Sequence, residues 1–112
     1  MNELPLVSVV IPCLNRAQFL APTIESVLQQ DYPNLECIVV DGGSTDDTIE
    51  ILRGYDGRIQ RLSETDDGHA DAINKGWQMS QGEILAWLNA GRCIGGAGCD
   101  QLGTARRYNG GN

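Results

Sequence analysis

Leu35-Glu36-Cys37-Ile38-Val39-Val40-Asp41-Gly42-Gly43-Ser44-Thr45-Asp46 is the stretch on which the fold turns. Its first six residues are rich in β-branched side chains and read as a buried strand. The strand runs directly into a carboxylate, two glycines and two hydroxyls, which make a loop. Ser44 or Thr45 can cap a helix from Asp46 to Arg53, and Asp46 and Asp47 suit the positive end of its dipole.

Working outward, Val7 to Ile11 forms an earlier β-branched strand closed by Pro12. Phe19 to Gln30 carries Leu20, Ile24, Val27 and Leu28 at helical spacing, with Pro22 tolerable in a first turn. Downstream, Arg58 to Ser63 reads as a weaker third strand. Asp66-Asp67-Gly68 turns the chain into a helix from about Ala70 to Met79, and Ile84 to Asn89 reads as a fourth strand. Strands and helices therefore alternate, and the strands are near-continuously apolar. That pattern predicts an α/β fold with a parallel sheet in three layers and helices on both faces. Ligands of such sheets bind at the carboxyl ends of the strands.

The character of the chain changes after Ala90. Residues 91 to 112 hold seven of the fourteen glycines, and the net charge moves from −9 over residues 1–90 to +2 beyond them. No helical or strand period is visible there, so the expectation is an unpacked or disordered tail.

With 112 residues the chain is one domain at most. A net charge of −7 argues against nucleic acid as a partner, because phosphate neutralisation needs a surplus of Lys and Arg. No apolar run approaches the roughly 20 residues of a transmembrane segment, and Met1 to Leu6 lacks a basic signal region. These features point to the cytoplasm. Cys13, Cys37, Cys93 and Cys99 match no zinc spacing, and Cys13 and Cys37 read as small hydrophobes beside strands. His69, the only histidine, follows a turn and reads as exposed rather than as a ligand.

Three strand ends deliver polar residues to one edge of the sheet: Pro12 to Arg16, Asp41 to Ser44, and Asn89. A carboxylate following a buried strand needs partners, so Asp41 points either to a ligand or to the amides of its own turn. Gly42 and Gly43 allow close backbone approach or positive φ. Neither GxGxxG nor GxxxxGK[ST] occurs, which argues against a dehydrogenase and an ordinary P-loop.

Several segments together resemble a known family. They are Val7-Ser8-Val9-Val10-Ile11-Pro12-Cys13-Leu14-Asn15, Ser26 to Glu36, Val39-Val40-Asp41-Gly42-Gly43-Ser44-Thr45-Asp46, Asp71-Ala72-Ile73-Asn74-Lys75-Gly76 and Gly82 to Asn89. In order and spacing they look like family 2 glycosyltransferases of the GT-A fold. The resemblance covers about residues 7 to 90 and implies an incomplete, Rossmann-like GT-A half-domain, truncated or frameshifted after about residue 90. Residues 1–90 would be its N-terminal part and residues 91–112 a glycine-rich aberrant tail.

The activity implied is inverting transfer of a sugar from a nucleotide-diphosphate-sugar donor to an acceptor hydroxyl on a glycan or lipid carrier; the alternatives are a non-catalytic nucleotide-binding fragment and a non-functional remnant. The nucleotide-sugar-binding residues carried over are Pro12, Leu14, Asn15, Asp41, Gly43, Ser44 and Asp71, with Asp41 accepting from a ring N–H. Leu14 stands where several relatives stack an aromatic on the base. Lys75 reads as a solvated helix position. The catalytic base belongs to a later part of such domains, and no catalytic residue is assigned. A sheet ending at its fourth strand would also leave an open edge, available for self-association.

The resemblance further implies Mn2+ or Mg2+ held by an acidic pair after the fourth strand. Here Asn89-Ala90-Gly91-Arg92 stands instead, leaving Asn89 as a neutral oxygen donor. Gly91-Arg92-Cys93-Ile94 can be encoded GGA CGA TGT ATT, and the frame one nucleotide on reads GAC GAT GTA, Asp-Asp-Val. A single-nucleotide insertion near codon 90 would thus explain the tail, and reading the gene in the neighbouring frame tests this.

Overall fold

The computed structural model describes residues 4–30, 32–89 and 103–106. The expectations for Gly91, Arg92 and the rest of the tail outside 103–106, and for the side chain of His69, lie outside the described residues.

The elements run β1 (Val7–Cys13), α1 (Ala17–Leu28), β2 (Leu35–Asp41), α2 (Thr48–Arg53), β3 (Gln60–Ser63), α3 (His69–Met79), β4 (Ile84–Trp87) and β5 (Gly103–Arg106). They build one sheet in the order β3-β2-β1-β4-β5. The first four strands are mutually parallel, with Val7 opposite Leu35 on one side and Ile84 on the other.

Period-two alternation along β1 splits the interior into two layers. Val9, Ile11 and Cys13 pack with Leu20, Ile24 and Val27 of α1 and with Leu52 of α2. Val10 points the other way and packs with Ile38, Val40 and Ala72 of α3. Helices thus cover both faces, as the strand composition requires. Ile24 and Leu52 are fully buried, and each such side chain contributes about 1.5–3 kcal/mol.

Two glycines set how closely the layers approach. A Cβ on Gly76 would lie 2.5 Å from Val10 Cγ1, so α3 rests on β1 through bare backbone. A Cβ on Gly82 would lie 2.8 Å from the backbone nitrogen of Ser8.

Several boundaries differ from the sequence expectation for identifiable reasons. Pro12 does not close β1 but pairs with Val40 inside it. The Val10 carbonyl accepts from Leu88 N and the Cys13 carbonyl from Gly42 N, so the backbone groups of even-numbered residues face β4. Because β4 ends opposite Val10, the missing N–H of Pro12 falls beyond its last ladder residue. α1 begins at Ala17, which places Pro22 inside the helix rather than in its first turn.

β5 is the larger difference. It runs antiparallel along β4, from Ile84 opposite Arg106 to Trp87 opposite Gly103. A strand therefore lies within the segment expected to be unpacked, and the β4 edge is paired. This corrects the expectation of an open fourth-strand edge available for self-association.

Candidate functional site

The carboxyl ends of β1, β2 and β3 open onto three loops, residues 14–16, 42–47 and 64–68. The first two are stitched together. Gly42 N donates to the Cys13 carbonyl at 2.9 Å, Asn15 N to Ser44 Oγ at 2.7 Å, and Thr45 N to Asn15 Oδ1 at 2.8 Å. Asn15 adopts φ +52°, the left-handed region, which Asn tolerates better than most residues.

Asp41 is fully buried. Its Oδ2 accepts from Gly43 N at 3.3 Å and Ser44 N at 3.1 Å, and its Oδ1 accepts from the Ser44 hydroxyl. Gly43 reaches this geometry with φ +100°. Of the two destinations open to this carboxylate, the structure fills the one within its own turn. The Cys13 thiol, 3.9 Å away, donates to Asp41 Oδ1.

Helix capping also falls elsewhere than expected. Ser44 and Thr45 turn back to the β1 loop, and Asp46 serves two helices at once. Its Oδ1 accepts from Thr48 N and the Thr48 hydroxyl at the start of α2, while Oδ2 accepts from Ala17 N at the start of α1. The Thr48 hydroxyl, followed by amide hydrogen bonds, holds the Asp46 carboxyl below its ordinary value.

The third loop is fixed from α3. Lys75 Nζ donates to the Thr65 carbonyl at 2.9 Å and lies 3.0 Å from Glu64 Oε2 and 3.3 Å from Asp71 Oδ2. This corrects its reading as a solvated position. Asp71 in turn accepts from Asp67 N at 3.0 Å, the main cause of its lowered carboxyl pKa, with Lys75 adding to it. Asp66 closes over Gly42, where a Cβ would lie 2.8 Å from Asp66 Oδ2. Any side chain at position 42 would therefore displace the Asp66 carboxylate.

Negative charge gathers at this edge. Burial pushes the Cys13 thiol up to about 12, reinforced by the charges of Asp41, Asp46 and Asp66. Lys75 is already shared between two carboxylates, which leaves Arg16, exposed in the first loop, and the backbone amides to meet an anionic ligand.

Of the residues expected from the sequence, Asn15, Asp41, Gly43 and Ser44 form one hydrogen-bonded unit. Pro12 lies buried in β1, and Leu14 projects beside Asn15 with 49% of its surface exposed. Asp71 lies in the first turn of α3, where it holds the third loop through Asp67 N, and Asn89 is exposed after β4. Asp66 went unread, and the bonds of Asp46 to both helices and of Lys75 to the third loop go beyond the dipole and solvated-position readings, although a carboxylate two residues before Thr48 was a usable capping signal. Arg58 and Arg61 pair with Glu25 and Asp56 at the surface.

Among the described residues no group of three or more His, Cys, Asp or Glu could hold a metal ion. Asn89 offers one neutral oxygen, and both Asp41 oxygens are engaged. The described residues do not by themselves fit a divalent cation. Among them, no helix is long and apolar enough to cross a membrane.

Comparison with known proteins gives a consistent set of similarities. The family described as glycosyl transferase family 2 matches residues 8–90. An uncharacterized glycosyltransferase of Rickettsia prowazekii is 39% identical over 85 residues, covering 76% of this chain and 27% of that protein. A PGL/p-HBAD biosynthesis glycosyltransferase of Mycobacterium bovis is 37% identical over 90 residues, covering 77% and 35%. Among solved structures, a mannosyltransferase of Pyrobaculum calidifontis in complex with GDP-Man and Mn2+ superposes with a TM-score of 0.74 at 30% identity, covering 80% of this chain and 28% of that one. Glucosyl-3-phosphoglycerate synthase of Mycobacterium tuberculosis, in complex with Mn2+, UDP and glucosyl-3-phosphoglycerate, superposes with a TM-score of 0.66 at 26% identity, covering 80% and 36%. The chain spans roughly a quarter to a third of the length of these relatives.

Proposed function

The chain belongs to glycosyl transferase family 2, and from that premise we propose that it carries the nucleotide-binding part of an enzyme transferring a sugar from a nucleotide-diphosphate-sugar donor to an acceptor hydroxyl, with inversion. The observation that carries this reading is the joining of the β1 and β2 loops through Asn15, Ser44 and Asp41 at the carboxyl edge of a parallel sheet. Such an edge is where α/β sheets bind ligands.

In this reading Pro12, Leu14 and Asn15 form one wall for the base and ribose. Asp41, Gly43 and Ser44 form the other, and Asp71 fixes the third loop beside them. Asp41 is buried with both oxygens held in its own turn, so in this reading it shapes that wall from beneath rather than accepting from a ring N–H. Leu14 offers an aliphatic surface, so base stacking is weaker than on an aromatic.

Mn2+ accompanies the nucleotide in the Pyrobaculum and Mycobacterium tuberculosis structures. The described residues of this chain do not supply a ligand set for Mn2+ or Mg2+, and no step is assigned to either. The acceptor, a glycan or lipid carrier, and the base that deprotonates it are not assigned to residues here.

Calorimetric titration of the chain with UDP and GDP, with and without Mn2+, tests the proposal. Saturable binding, together with release of sugar when the corresponding nucleotide-diphosphate sugar is supplied, supports an enzyme. Binding without turnover reduces the reading to a nucleotide-binding module, and absence of binding to either nucleotide refutes it.

A further inference from the structure

We infer that Ser44 is a positioning residue of the proposed nucleotide site, its hydroxyl joining the β1 loop to the buried Asp41 so that the two walls are preset relative to each other. The inference rests on the nucleotide reading for its purpose, while its geometry stands apart from it. A serine hydroxyl can donate once and accept twice. Here it accepts from Asn15 N at 2.7 Å and donates to Asp41 Oδ1, so a single oxygen links residues 29 apart in sequence to a carboxylate that solvent does not reach.

Asn15 shows why the link matters. It is the only non-glycine residue with positive φ among those described, and the neighbouring loop holds it at its amide by Ser44 and at its carboxamide by Thr45 N and Thr45 Oγ1. A left-handed residue persists where its surroundings over-determine it. Leu14 precedes it with half its surface exposed, so the direction of that apolar side chain depends on the Asn15 turn. Asp41 orientation and Leu14 presentation are thereby set by the same hydroxyl. A turn residue serving only Asp41 would leave Asn15 unaffected.

Amide hydrogen exchange on the ligand-free full chain reads the link directly. In the wild type, exchange at Asn15 and Thr45 is slowed despite their surface position. Ser44→Ala accelerates both by about tenfold or more, the equivalent of one hydrogen bond to a charge-bearing network, and Ser44→Thr restores both. Exchange at Asn15 and Thr45 within twofold of wild type in Ser44→Ala overturns the inference.

Should Ser44→Ala unfold the chain, Asn15→Gly decides, since glycine keeps the left-handed backbone and the amide while deleting the carboxamide. Faster exchange at Thr45 with the backbone amide at position 15 still protected supports the link, and any other pattern overturns it. UDP and GDP titrations complete the test. Affinity about tenfold weaker in Ser44→Ala, with Ser44→Thr within about threefold of wild type, ties the link to the site. A wild type that binds neither nucleotide refutes the nucleotide-site reading, while the exchange data still decide the positioning role.

Discussion

Replacing Asp41 by alanine removes the one acceptor at the centre of the β2 turn. Four donors lose it together: Gly43 N at 3.3 Å, Ser44 N at 3.1 Å, the Ser44 hydroxyl and, weakly, the Cys13 thiol at 3.9 Å. A buried donor left unsatisfied costs about 1–3 kcal/mol. Two effects offset the sum, namely relief of the desolvated carboxylate and entry of water into the opened turn. The net expectation is a loss of about 3 kcal/mol, a large share of the roughly 5–15 kcal/mol that stabilises a domain. With a urea m-value of about 1.5 kcal/mol per molar, the unfolding midpoint falls by about 2 M. Equilibrium urea denaturation followed by circular dichroism measures it. Asp41→Asn keeps the volume and one acceptor oxygen and should lose about half as much. A shift below about 0.5 M for Asp41→Ala, at unchanged m, would show that the turn does not depend on this carboxylate and would refute the reasoning.

Gly76→Ala should destabilise despite improving helix propensity by about 1 kcal/mol, because overpacking against Val10 costs about 1–3 kcal/mol; thermal melting checks the sign. Cys13 and Cys37 are each pushed up to about 12, chiefly by burial. Both should resist alkylation at pH 7 until urea is added, as read by peptide mass mapping. Because the folded state favours the neutral thiols, they contribute stability that is present below the ordinary pKa of 9.0 and lost as pH rises from there towards 12. Asp71 should titrate below 3.8 by carboxyl NMR, so its contribution is present above that value and lost as pH falls through the folded midpoint. Lys75→Met should raise that midpoint, and an unchanged one would remove Lys75 from the network.

How much was legible depended on whether a residue acts through its neighbours in sequence or through space. β1 and β2 announce themselves because strands buried on both faces leave little choice but Val, Ile and Leu, and the alternation with helices fixes the layers. The polar residues after those strands were legible as a shared edge for the same reason. Their partners were not. Asp41 and Ser44 belong to an ordinary turn motif, and nothing in that motif says that Asn15, 29 residues away, donates to the same hydroxyl. Pro12 misled because a proline in a strand is read as a breaker until the end of β4 is known. β5 was hidden because Gly103-Thr104-Ala105-Arg106 has neither length nor pattern, and its place comes from pairing with β4.

The chain holds two tryptophans, and they meet: Trp77 of α3 and Trp87 of β4 stand edge to face with ring centroids 5.8 Å apart. The molecule's entire indole emission therefore originates at a single joint between one helix and the sheet. Any undocking of α3 will change intrinsic fluorescence and near-ultraviolet dichroism while backbone signals from the rest of the sheet stay constant, giving a label-free optical gauge of that one seam.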